Sequence, residues 1–167
     1  MTERIPVTIV NHVAVDIARS PDIVWAAILA DYVQARKFSA IGYTVQALDE
    51  PAAFHGGYRL RFAQDGALLD ERLCHITERD AASRRLSMKA DCLSVPGGMT
   101  VHACYQAQAD AEGSRYAIDC FSSLLIDPPD EGSQAAIARV VADMTRQYEA
   151  ALLGYLQAVK ITLETRG

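Results

Sequence analysis

The stretch that follows Pro128 and Pro129 constrains the fold more than any other part of the chain. Two prolines in a row end a strand, because proline donates no ladder hydrogen bond, and Asp130 or Ser133 can cap what comes next. From about residue 131 to 163 no further proline interrupts the chain. Ile137, Val140, Val141, Met144, Tyr148, Ala151, Leu152, Tyr155 and Val159 recur there in steps of three and four. The spacing predicts one helix of roughly 30 residues, ~45 Å long. Its single apolar stripe excludes Arg139, Asp143, Arg146 and Lys160. A helix of that length must bury its stripe against a surface of comparable extent.

The remainder of the chain offers one such surface. Val13, Val15 and Ile17 alternate with polar or small residues over 10–19, the period of a half-buried strand. Ser20, Pro21 and Asp22 then read as an N-cap, a first-turn proline and an acid at the positive end of a helix, with Val24, Trp25, Ile28, Leu29 and Tyr32 at helical spacing. The less regular stretch from Asp31 to Gly42 accommodates a second short helix. After it come six β-type segments, at about 43–48, 58–62, 68–76, 84–92, 100–109 and 115–126. They are separated by turn chemistry such as Gln64-Asp65-Gly66 and Pro96-Gly97-Gly98. The expected architecture is α+β: a seven-stranded curved antiparallel sheet gripping the C-terminal helix, a helix-grip fold, with 1–167 as one domain. By alternation the inward positions are Tyr58, Leu60 and Phe62; Leu69, Glu71, Leu73 and His75; Leu86, Met88 and Ala90; Val101, Ala103 and Tyr105; and Ile118, Cys120 and Ser122.

Charge and composition narrow the partners. A formal charge of −5, with acids and bases interleaved, provides no basic stripe for phosphates, so nucleic acid is not expected. No run approaches the ~18 apolar residues of a membrane span. The first ten residues lack a signal pattern, which reads as cytoplasmic. Cys74, Cys92, Cys104 and Cys120 are dispersed and read as free, buried thiols. His12, His55, His75 and His102 have no paired ligand at metal spacing, and no nucleophile elbow, phosphate loop or dinucleotide fingerprint occurs. Neither metal nor cofactor is expected, and the sequence leaves monomer and homodimer open.

Five motifs in order carry a resemblance to a known superfamily: Ser20-Pro21-Asp22-Ile23-Val24-Trp25, Gly57-Tyr58-Arg59, Asp65-Gly66, Glu71-Arg72-Leu73 and Asp127-Pro128-Pro129. Their order and spacing over nearly the whole chain resemble the START-like (SRPBCC) superfamily, most closely its polyketide cyclase/dehydrase branch. The resemblance implies a hollow between sheet and helix that takes lipids, sterols, polyketides, hormones or aromatic intermediates. In abscisic acid receptors, similar in the Glu71-Arg72-Leu73 stretch, the counterpart of Glu71 points into the hormone cavity. In bacterial aromatase/cyclases the inward positions of this strand carry polar and basic groups, whereas Leu73 is apolar here and leaves His75 to act near neutral pH.

The leading expectation is a binder of a small hydrophobic or amphipathic molecule. Its pocket would be lined by Tyr58, Leu60, Phe62, Leu69, Glu71, Leu73, His75, Met88, Ala103, Tyr105, Ile137, Val141, Met144 and Tyr148, with Glu71, His75 and Tyr105 as polar anchors. Two alternatives stand beside it: a cyclase, dehydratase or aromatase using Glu71 and His75 as acid and base, and a ligand-gated regulatory module acting through its loops.

Overall fold

The structure, a computed structural model, describes residues 3–49, 55–130 and 132–166. Strand β1 (Ile5–Ile17) leads into helix α1 (Pro21–Ile28), a π-helical turn (Leu29–Val33) and a one-turn helix α2 (Arg36–Ser39). There follow β2 (Thr44–Ala47), β3 (Gly57–Gln64), β4 (Ala67–Asp80), β5 (Arg85–Cys92), β6 (Met99–Asp110), β7 (Gly113–Ile126) and helix α3 (Gln134–Thr165). The seven strands form one antiparallel sheet in the order β1-β7-β6-β5-β4-β3-β2. Most elements extend one to five residues past the bounds that periodicity alone suggests. Part of the predicted 49–57 loop lies outside the described residues.

Local chemistry explains the turns and caps. Asp65 and Gly66 both have positive φ, 51° and 80°, the geometry of a two-residue type I′ hairpin between β3 and β4. Ser133, rather than Asp130, starts α3: its side chain accepts a hydrogen bond from the Ala136 amide. Ser20 occupies the N-cap position of α1, but its side chain makes no cap bond, and Asp22 reaches across to Arg84 at 2.8 Å. Gly57 has a steric reason, since a Cβ there would sit 2.6 Å from the Cys74 carbonyl oxygen on β4.

The core lies between the concave face of the sheet, α1 and α3. Val13, Val15 and Ile17 from β1, Leu86 from β5, Ile118 from β7, Val24 and Ile28 from α1 and Leu156 from α3 are all buried in it. Alternation assigns the inner face correctly on β1, β3, β5, β6 and β7, but not on β4. Phe62 pairs with Asp70 and Ala63 with Leu68, which makes Leu69 the extra residue of a bulge; Ile76 pairs with Met88 and Glu78 with Ser87, which makes Thr77 another. Between the bulges, the residues opposite the inward Tyr58 and Leu60 are Cys74 and Arg72. The inner face of β4 is therefore Asp70, Arg72, Cys74 and Ile76, and the expected set of Leu69, Glu71, Leu73 and His75 points to the convex side.

Candidate functional site

Polar groups gather where α2 folds back over the sheet. The π-helical turn carries one residue more per turn than an α-helix, a distortion often found at functional sites. It turns Asp31 and Tyr32 inward, and both are buried. Ala35 follows in the left-handed region at φ 55° while fully buried, a conformation costing about 1–2 kcal/mol for a residue with a Cβ. That reversal aims Lys37 and Phe38 back toward the sheet. Tyr32 stacks on Tyr105 with ring centroids 3.8 Å apart, and its carbonyl accepts a 2.6 Å hydrogen bond from the Tyr58 hydroxyl.

Lys37 lies within this aromatic cluster. Its Nζ donates to the Tyr32 hydroxyl at 3.0 Å and stands 3.8 Å from the Tyr155 ring centroid and 4.6 Å from that of Tyr32. Burial lowers its pKa to about 8, with Asp31 opposing the shift and Arg72 adding to it. Asp31 is engaged elsewhere: Oδ1 accepts from Arg36 at 3.1 and 3.2 Å, and Oδ2 from the Tyr155 hydroxyl at 2.9 Å. Burial likewise raises Tyr32 and Tyr105 well above the usual phenol range, so both stay neutral hydrogen-bonding groups.

These groups roof a cavity of ≈ 180 Å³. Its floor is Cys74, Met88, Ala90, Cys92, Val101, Ala103, Tyr105, Ile118 and Cys120; its roof is Tyr32, Lys37, Phe38 and Leu152, with Met99 at one end. Arg72 contributes the second cationic head. Its Nε lies 2.8 Å from Asp70 Oδ2, which also accepts from the Tyr43 hydroxyl. Burial works to raise the Asp70 carboxyl, but the hydrogen bonds from Arg72 and Tyr43 outweigh it and hold the group below the usual range. The cavity is thus mainly apolar, with one cation already neutralised by Asp70 and one, Lys37, held among aromatic rings.

Of the residues expected from sequence to line a pocket, Met88, Ala103 and Tyr105 border this cavity. Tyr58, Leu60 and Phe62 face the same side of the sheet; Tyr58 and Leu60 are packed into the core and Phe62 lies against Tyr43. Glu71 does not enter: on the convex face it accepts from Arg59 at 2.6 Å and Arg61 at 2.9 Å, and these guanidiniums hold its carboxyl below the usual range. His75 sits on the same outer face, paired across to Gly57 and Lys89, and Leu69 is 52% exposed. Leu73, opposite Arg59 and Asp91, is outward too. Ile137, Val141, Met144 and Tyr148 are half-buried on α3 but do not line the cavity, where the helix contributes Leu152. Sequence reasoning missed Lys37, Asp31 and Arg72. One signal was available for Lys37: the chain carries 16 Lys and Arg, of which only Lys37, Lys89 and Lys160 are lysine. Among the described residues, no cluster of three potential metal ligands occurs and no helix is long and apolar enough to cross a membrane.

No protein-family model and no curated relative matches the sequence. Solved structures do match in shape. The Zhui aromatase/cyclase from a Streptomyces species aligns over 96% of this chain and 95% of its own at 18% identity and a TM-score of 0.58. Ara h 8.0201 aligns over 92% and 99% at 13% identity and 0.56. Norcoclaurine synthase from Thalictrum flavum, in complex with dopamine and hydroxybenzaldehyde, aligns over 85% and 88% at 13% identity and 0.51. With the sheet order, the long terminal helix and the paired short helices after β1, this likeness in shape identifies the chain as one with the helix-grip fold.

Proposed function

We propose that this chain binds a small, mostly apolar molecule of about one aromatic ring, bearing one or two oxygen atoms, in the cavity beneath α2. The observation that carries the reading is the cavity's make-up: apolar walls on nearly all sides with Lys37 and Arg72 as cationic heads. Its ≈ 180 Å³ falls below the ~300–1,000 Å³ of drug-sized sites and near the roughly 150 Å³ that accommodates benzene in an engineered apolar cavity. Size therefore favours a single ring over a sterol or a long-chain lipid. The similar fold of norcoclaurine synthase holding dopamine and hydroxybenzaldehyde, both single-ring molecules, supports the same class. Acid–base chemistry by Glu71 and His75 gains no support from their places on the convex face.

Ligand-observed NMR with toluene, benzyl alcohol and palmitate tests the reading. The two ring compounds should bind and palmitate should not. Ala103→Phe, which fills the cavity from its floor, should abolish ring binding while leaving the circular dichroism spectrum intact. Binding of neither ring compound, or unchanged binding in a folded Ala103→Phe protein, defeats the proposal.

A further inference from the structure

We infer that Lys37 is a nucleophilic amine that captures an aromatic aldehyde in the cavity as an imine, a step that rests on the cavity being a ligand site. The placement of Nζ is the first reason. Lys37 lines the cavity, and its Nζ is held 4.6 Å from the Tyr32 ring centroid and 3.8 Å from that of Tyr155, so a flat ring that enters the cavity comes alongside this amine's side chain. The choice of residue is the second. Arginine supplies all but three of the chain's 16 basic residues, and the other two lysines are committed to surface ion pairs, Lys89 with Asp91 at 3.0 Å and Lys160 with Glu164 at 3.1 Å. The cation that α2 brings to the cavity is the type that can give up its proton, which arginine cannot.

The surroundings permit a neutral amine. Facing Nζ are Tyr32 and Asp31 from the π-helical turn, Tyr155 from α3 and Arg72 from β4, with Arg36 beside it on α2. The two Asp31 oxygens are occupied by Arg36 and Tyr155, so the carboxylate forms no direct ion pair that would fix the proton on Lys37. With burial bringing Lys37 to about 8, the neutral fraction near neutral pH exceeds that of an ordinary lysine by about two orders of magnitude.

The chemistry balances without an oxidant or reductant. The Nζ lone pair attacks the carbonyl carbon and forms the C–N bond as the carbonyl π pair moves to oxygen. That oxygen takes up the proton shed by nitrogen, giving a carbinolamine. The C–O bond then breaks, the hydroxyl leaves with a second proton as water, and nitrogen supplies the pair that completes C=N. The net change is amine plus aldehyde to imine plus water. The Tyr32 hydroxyl, 3.0 Å from Nζ, is a positioning residue that can hydrogen-bond the carbonyl oxygen.

The test uses the full chain with benzaldehyde as probe and cyanoborohydride as an external hydride source, followed by peptide mass spectrometry over the three lysines and the N-terminus. A benzyl group should accumulate on Lys37 at least about tenfold faster than on Lys89 or Lys160, with a pH midpoint near 8. Lys37→Arg should abolish that label and leave the other sites unchanged. Ala103→Phe, which retains Lys37 but fills the cavity, should reduce Lys37 labelling to the level of Lys89. Even labelling of all three lysines, or undiminished Lys37 labelling in Ala103→Phe, overturns the inference. Binding of toluene and benzyl alcohol measured on the same sample separates the two proposals. Toluene or benzyl alcohol bound with no preferential Lys37 label overturns the imine alone, and binding of neither overturns the cavity reading with it.

Discussion

Along α3, the half from Leu152 to Leu163 and the half from Ile137 to Tyr148 meet the same sheet in different ways. The later half contains Leu156, fully buried, and carries Tyr155 into the cluster around Tyr32. Its end is tied down by polar contacts: Arg19 Nε donates to the Leu163 carbonyl at 2.8 Å, and the Ala18 amide to Glu164 at 2.8 Å. An arginine on the last carbonyls of a helix satisfies acceptors that lack an intrahelical partner and complements the helix dipole. The earlier half is held more sparingly. Its apolar residues remain half-buried, and its contacts with the sheet include Asn11 donating to the Thr145 carbonyl at 3.0 Å and Tyr148 against the Met99 sulfur at 3.8 Å. The contrast teaches that the grip fastens at the C-terminal end of α3, where the cavity roof is also built, and that the N-terminal half covers the sheet without closing on it.

Leu156→Ala gives the sharpest way to break this contrast. Truncation of a fully buried leucine should cost about 2–5 kcal/mol, read from urea unfolding. Met144→Ala, in the other half, should cost about 1 kcal/mol, and equal losses at the two sites would erase the distinction. A smaller effect is expected from pH. Lys37 holds its proton less tightly in the folded chain than in the unfolded one, so between about pH 8 and 10 the unfolded state binds more protons and stability gains with rising pH. This contribution, at most ~1.4 kcal/mol per pH unit, should vanish in Lys37→Met and leave a flatter profile by the same unfolding assay. Smallest of all should be Glu71→Gln. It removes the ion pairs with Arg59 and Arg61 on the convex face, so toluene binding should be unchanged and stability only slightly reduced; lost binding would place Glu71 in the site after all.

Most of the architecture was legible because it depends on repeated signals. Nine apolar residues at helical spacing after Pro128-Pro129 mark α3, and alternation marks five strands with their inner faces. The β4 face was not legible, because a one-residue bulge at Leu69 leaves no compositional trace and yet reverses the side chains from Asp70 to Ile76, up to the second bulge at Thr77. Leu69 and Leu73 make the outward phase look apolar, whereas the true inner face carries Asp70 and Arg72, whose burial depends on each other and on Tyr43. The site suffered similarly. Asp31, Tyr32 and Lys37 lie in a stretch with no periodicity, shaped by a π-helical turn and a left-handed alanine, and their convergence is a product of backbone path rather than of spacing. Val101, Ala103 and Tyr105, on a regular strand, were placed inward from alternation alone.

The pairing of β1 with β7 also bears on how the chain reaches this shape. Thr8 and Ser123 touch across 115 positions, and the whole length of β1 finds its hydrogen-bond partners only in the last strand. Contacts of such long range slow folding, because the intervening loop must close before any of them form. During synthesis from the N-terminus, β1 therefore waits as an unpaired strand with Ile9, Val13, Val15 and Ile17 uncovered, while β2 to β6 can already zip together by adjacent hairpins. A nascent chain stalled before β7 should be the species most prone to self-association, and release of β7 and α3 the event that retires the hazard.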